Sequence, residues 1–378
     1  MKQEDLSVYQ AYRDLTIRSI EAIPVLIPLT RPVKWARGSM THNDNVIVVV
    51  TLSNGVQGIA DAPARPTILG ETPKSIVAII REHLAPQLIG VNVFDMQAVW
   101  RVFNALAGNV AAKGAIDMAC HDAQGKTIGV SCAQLLGGVV RPLTVNWRVR
   151  IAPEKEMLAE AEEMMASHGF RALKIKGGLD RVKDLRFLRS LRKVVGDDVE
   201  IAIDFNQGLS SQGLLEALPG LEEVNIALIE EPIPARDGPG KLLCSRATTI
   251  PISGDDSCFS PDDVLHELRL GAIRSIVVKV ARNGYTQGRD IVALARTFHT
   301  PIHNGSQGDQ LIASAAAAHF ACGYEAVHAH EFSSFLDASD HVADRDIVIE
   351  DGRLHPPDGP GIGLSLDADK LAKYRADN

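Results

Sequence analysis

The chain has 378 residues, 46% of them hydrophobic, which exceeds what most single cores bury and leads us to expect two domains. Net charge is −8 and the isoelectric point about 5.8, with Lys and Arg interleaved among Asp and Glu. That balance argues against a nucleic acid or an anionic membrane as partner and for a small molecule. The five cysteines are odd in number and lack zinc-site spacing, as a reducing compartment favours. Without a ~20-residue apolar run or a signal-peptide core in MKQEDLSVYQAYRD, the expected location is the cytoplasm.

Residues 1–15 are expected to be extended or disordered, and 16–142 to form an α+β domain. The β-branched runs IRSIEAIPVLIPL and VIVVVTL, the turn Ser53-Asn54-Gly55 and then VQGIADA predict a three-stranded antiparallel meander. Thr72-Pro73 reads as a helix start, with Ile76, Ile79, Ile80 and Leu84 on one face. Two further helices are predicted over 93–106 and 111–136, the second stopped by Gly137-Gly138.

From Leu143 strands and helices alternate. VNWRVR, RALKIK, EIAIDF, ALIEEP, IPISGD, SIVVKV, TPIHNG and the stretch around AVHAHEF give eight strands, and residues 143–350 are read as a (β/α) barrel. The helix after RALKIK should present Val182, Leu185, Leu188, Leu191 and Val195 on its apolar face and stop at Gly196. An open doubly wound sheet is the rival, but no GxGxxG or Walker loop supports it. Residues 351–378 should return to the first domain. The fold class is thus α/β, a modified barrel with an N-terminal α+β cap completed by the C-terminal tail.

Five charged residues close successive strands: Lys176, Asp204, Glu230, Asp255 and Lys279, spaced by 28, 26, 25 and 24 residues. One βα unit has about that length, so all five should meet on one rim. An isolated strand-end carboxylate ordinarily caps the next helix. Three in register repel unless a cation neutralises them, and oxygen-only ligands favour Mg²⁺ or Mn²⁺ over zinc. Lys174 and Lys176 lie two apart and share a face of their strand. Crowding should lower the pKa of one of them, leaving Lys176 as base and Lys174 as the cation that steadies an oxyanion. Lys279 approaches from nearly the opposite side, as racemisation requires.

The segments KIK, IDFN, IEEP, GDDS and KVARNG resemble the motif series of the enolase superfamily, muconate-lactonizing-enzyme subgroup. The likeness extends to GETPKSIVAIIREHLAPQLIG, AAKGAIDMACHDAQGK and PDGPGIGLSLD. It implies that Asp204, Glu230 and Asp255 ligate Mg²⁺ and that Lys174, Lys176 and Lys279 are the acid/base lysines. It implies, too, a capping domain whose loops at Lys34-Trp35-Ala36-Arg37 and Ala64-Arg65 close over the substrate. Asn206 matches a polar residue near the metal, Asp256 a partner for Lys279, Asp309 in GSQGDQ a position where many relatives have Glu, and Glu331 an acidic position on the last strand. Two departures stand out. Gly284-Tyr285 replaces a glycine pair, and HEFSS replaces the Asp-x-Asp of dipeptide-binding relatives. His303 lacks the acidic partner of a His base and reads as rim packing.

These readings converge on removal of the proton α to a carboxylate through an ene-diolate. Racemisation or epimerisation of an amino-acid derivative is favoured, with dehydration or cycloisomerisation as alternatives through the same intermediate. A non-catalytic barrel is disfavoured by the intact set of six central residues. Trp35, Trp147 and Arg148 are candidate substrate contacts, with Glu331 suited to a cationic group. A homo-oligomer is expected.

Overall fold

The computed structural model describes residues 12, 14–35 and 38–377, so most of the expected irregular start, and Ala36 and Arg37, lie outside the described residues. Strands β1 (Ile17–Trp35), β2 (Gly38–Leu52) and β3 (Gln57–Pro63) form the antiparallel meander in that order. Gly55 supplies the turn with φ 87°. Helix Val110–Ile128 lies across β3 so closely that a Cβ on Gly58 would stand 1.9 Å from the Ala119 carbonyl oxygen. Thr72 caps the helix that begins at Pro73 through a reciprocal bond with Ser75. The expected 93–106 helix spans Met96–Asn104. The expected 111–136 helix stops at Ile128 instead, because Gly129 adopts φ 74°, and Cys132–Leu135 is a separate turn of helix.

After the short β4 (Leu143–Thr144), seven parallel strands form one curled sheet: β5 (Trp147–Val149), β6 (Ala172–Lys176), β7 (Glu200–Asp204), β8 (Leu228–Glu230), β9 (Ile252–Gly254), β10 (Ser275–Val278) and β11 (Ile302–Asn304). The expected eighth strand is too short to count as one, yet it closes the ring. The His330 oxygen accepts from Asn146 N and the His330 N–H donates to Thr144 O, each at 2.9 Å, while Glu331 N donates to Asn304 O at 2.9 Å. The segment therefore bonds both ends of the sheet. Helix Arg181–Val195 buries Phe187, Leu188 and Leu191 and stops at Gly196, but Val182, placed on the apolar face by periodicity, is 70% exposed. It lies in the first turn, beyond the reach of the sheet.

The tail does two things. β12 (Val348–Glu350) and β13 (Arg353–His355) form a hairpin paired to β4, where the barrel begins. The chain then returns to the first domain, with Ile362 N donating to Asp122 Oδ1 at 2.8 Å and Ala376 N to Pro24 O at 2.9 Å. Among the described residues no helix is long and apolar enough to cross a membrane.

Candidate active site

Parallel register carries Lys176, Asp204 and Glu230 to the same level, since Lys176 pairs with Asp204 and Asp204 with Glu230. Asp204, Glu230 and Asp255 each offer an oxygen within 4.8 Å of the others, and all three are buried. Three anions at that separation suit a divalent ion bound through oxygen. Glu230 shows the frustration most clearly: burial and the neighbouring Asp204 hold its carboxyl well above the ordinary glutamate range. The amide oxygen of Asn206 is buried there without a partner, a further donor for such an ion. The donor set thus fits Mg²⁺ or Mn²⁺.

Each lysine engages a different carboxylate. Lys176 Nζ donates to Asp204 Oδ2 at 2.6 Å, and Lys279 Nζ to Asp255 Oδ2 at 2.6 Å. Lys174 Nζ donates to both oxygens of Glu230, at 2.7 and 2.8 Å, and to Glu331 Oε2 at 2.8 Å. Burial alone would lower the Lys174 pKa, but Glu230, Glu331 and Asp204 outweigh it and raise the value well above that of an ordinary lysine. At Lys279 burial again pulls down and Asp255 pushes further up. At both positions the nearest charged neighbours are carboxylates, and these outweigh burial.

A cleft opens above this cluster. Lys176 and Lys279 line it from β6 and from the end of β10, four strands apart, and the capping domain contributes Lys34, Trp35, Met40 and Arg65.

The Mandelate racemase / muconate lactonizing enzyme N-terminal domain model matches residues 18–137, and the Enolase C-terminal domain-like model matches 156–370. The chain belongs to the mandelate racemase/muconate lactonizing enzyme family, within the enolase superfamily. It is similar to muconate cycloisomerase 1 of Rhodococcus opacus, 30% identical over 368 residues that cover 96% of this chain and 99% of the relative. It is equally similar to the L-Ala-D/L-Glu epimerase of Bacillus subtilis, 30% identical over 355 residues, 93% of this chain and 97% of the relative. The crystal structure of muconate lactonizing enzyme from Pseudomonas fluorescens complexed with muconolactone superposes with a TM-score of 0.93 at 29% identity, covering 96% of this chain and all of that one.

Within this family member the secondary expectations fall out unevenly. Asn206 joins the cluster, donating from its backbone and side chain to Asp204 at 2.8 and 3.2 Å. Asp256 lines the cleft and accepts from Gln207 Nε2 at 2.7 Å. Glu331 lines the cleft while bonded to Lys174. Asp309 does not line it. Its carboxylate accepts from Gln307 N at 3.0 Å, and burial lifts its pKa to about 6. Trp147 is a correction: its indole donates to Glu160 at 2.9 Å and packs near Phe170, in the helical layer outside the barrel. Adjacent residues on a strand face opposite ways, so Arg148 faces the cleft and Trp147 cannot. Trp35 lines the cleft. His303 is buried edge-on to His328 and is absent from the cleft wall.

Sequence reasoning missed Arg282, which donates from Nη1 to Asp255 Oδ1 at 3.1 Å and lies 4.3 Å over the Phe259 ring. Its place one turn after Lys279 was the available signal. Glu231 was missed as well. It accepts from Asp255 N at 2.6 Å and Ser257 N at 2.9 Å, so it fixes the backbone that presents the third carboxylate.

Proposed function

We propose that the protein removes the proton α to a substrate carboxylate and returns it to the other face of the resulting ene-diolate, so that it racemises or epimerises an amino-acid derivative. One observation carries this reading: Lys176 and Lys279 line a single cleft from opposite sides of the barrel, and each is bonded to a different carboxylate of one cluster. One Nζ takes the proton and the other delivers one. Lys174, locked between Glu230 and Glu331, stays charged and adds fixed positive potential beneath the reacting oxygens. Asp204, Glu230 and Asp255 would hold a Mg²⁺ or Mn²⁺, which when bound would supply further positive charge beside the substrate carboxylate.

Cycloisomerisation through the same intermediate is the second reading. Glu331 and Asp337, the acidic groups nearest Arg148, are already bonded to Lys174 and Arg148, which weakens the case for a cationic substrate group at Glu331. Dehydration shares the intermediate too. Incubation in D₂O with N-modified amino acids and with unsaturated dicarboxylic acids, read by NMR, separates these outcomes. Deuterium at Cα that Lys176→Ala and Lys279→Ala each lose for one stereoisomer supports the two-base scheme. Lactone formed from an unsaturated dicarboxylic acid, with no exchange in the N-modified amino acids, selects the second reading, and neither exchange nor turnover across a carboxylate library sinks both.

A further inference from the structure

We infer that Gln207 is a positioning residue: it laces together the loops that follow β7, β8 and β9, and so holds Asp204, Glu230 and Asp255 at the separation a divalent ion needs. This rests on the metal reading of the cluster and on no step of the proposed reaction. Gln207 stands three residues after Asp204, in the turn that leaves β7. Its backbone N–H donates to Glu231 O at 2.7 Å, immediately after Glu230. Its side-chain Oε1 accepts from Ala235 N at 3.0 Å, further along that loop, and its Nε2 donates to Asp256 Oδ2 at 2.7 Å, next to Asp255. One half-buried residue therefore joins the turn behind the first carboxylate to the loops behind the second and third.

The backbone is bent to make this contact. Asn206, Gln207 and Glu231 have φ of 44°, 65° and 32°, left-handed values that residues other than glycine seldom adopt. Such conformations persist only where the surroundings over-determine them. Here Gln207 is bonded through its N–H and both side-chain polar atoms, and the Glu231 carboxylate accepts from Asp255 N and Ser257 N. The exit of β6 closes on the same turn: Gly177 N donates to Asp204 O at 2.9 Å, and a Cβ on Gly178 would stand 2.5 Å from Phe205 O. The loops behind Lys176, Asp204, Glu230 and Asp255 thus all meet the 205–208 turn. Three buried carboxylates within 4.8 Å push one another apart, and the strands that carry Glu230 and Asp255 are only three residues long, ending at or just before them. Their spacing must be fixed from the loops, and loss of such support around a metal site typically weakens metal affinity 10–100-fold.

The test titrates Mn²⁺ into the full chain by calorimetry and records the urea midpoint of each protein without added metal. Gln207→Leu removes both side-chain bonds and should weaken Mn²⁺ binding by about tenfold or more. The double substitution Gln207→Glu with Asp256→Asn keeps the net charge, keeps an acceptor for Ala235 N, and reverses donor and acceptor across the 207–256 contact. It should bind Mn²⁺ within a few-fold of wild type. A lowered urea midpoint in Gln207→Leu with unchanged Mn²⁺ affinity would make Gln207 a loop stabiliser only and overturn the inference. So would a double variant that binds as weakly as Gln207→Leu, or a wild type that binds no Mn²⁺. If Gln207→Leu fails to fold, the double variant decides: wild-type affinity upholds the positioning role and a tenfold loss ends it. Calorimetry needs no turnover, so absence of α-deuterium exchange would count against the proposed reaction and leave this result standing.

Discussion

At the residue scale the decisive feature is that three carboxylates are held close with only lysine and arginine as counter-charges. A divalent ion that binds this folded cluster and not the unfolded chain must stabilise the protein, by about 2.7 kcal/mol at a hundredfold excess over its dissociation constant. Melting with and without Mg²⁺ should show a rise in Tm that Asp204→Asn abolishes; an unchanged wild-type Tm would remove the metal from the mechanism. For the lysines, loss of a positioned acid or base lowers rate by roughly 10²–10⁴-fold. Lys176→Ala and Lys279→Ala should each lose turnover by that order, as measured with any substrate that exchanges. If one lysine serves only one stereoisomer, its variant should still exchange the α-proton of the other isomer. Trp147→Phe, outside the barrel, should leave kcat within a few-fold.

At the element scale, the departure at Gly284-Tyr285 acquires a physical cause. Helix Val280–Thr297 is broken at Gly284, whose φ of 61° and ψ of −175° start a second helical segment. The exposed N–H groups of that segment are capped from the other domain: Asp117 Oδ2 accepts from Tyr285 N at 2.6 Å and Thr286 N at 3.2 Å. Its other oxygen accepts from Thr286 Oγ1 at 2.6 Å and Trp100 Nε1 at 2.8 Å. Asp117 is thus an N-cap supplied in trans by the capping domain to the helix that follows Lys279. Asp117→Ala should cost about 1–3 kcal/mol for each buried donor it strands, read by denaturant unfolding. Gly284→Ala should also destabilise, since its Cβ would meet Asp117 Oδ2 at 2.6 Å and the residue sits at positive φ. A wild-type midpoint in Asp117→Ala would show that this cap does not hold the domains together.

For the whole molecule, the junction of cap and barrel is polar and pH-sensitive. Arg65 donates to Gln307 O at 2.7 Å and Gly308 O at 2.9 Å, and to Asn45 Oδ1 at 3.1 Å. Close by, burial raises the Asp61 carboxyl to about 7, partly offset by its bond from Asn45. A carboxyl near 3.9 when unfolded and near 7 when folded favours the native state most at low pH. That contribution is lost as pH rises from about 4 to about 7, and Asp309, at about 6, acts in the same direction. Asp61→Asn should therefore raise Tm relative to wild type at pH 8 and much less at pH 4.5, by thermal melts across that range. Equal effects at both pH values would mean that Asp61 is not neutral in the fold.

The sequence by itself determined the barrel period, the three acidic strand ends and the lysines, because period-2 and period-25 patterns follow from local geometry and from the length of a βα unit. It also located the meander and its Asn-Gly turn. Tertiary structure decided what depends on long-range partners. The last strand shrank to a bonded pair of residues, Asp117 became the cap of a helix about 170 positions away, and Lys174 was withdrawn from the cleft by Glu331. Arg148 and Gln307 come from segments some 160 residues apart, and only closure of the ring brings both to the wall of one cleft.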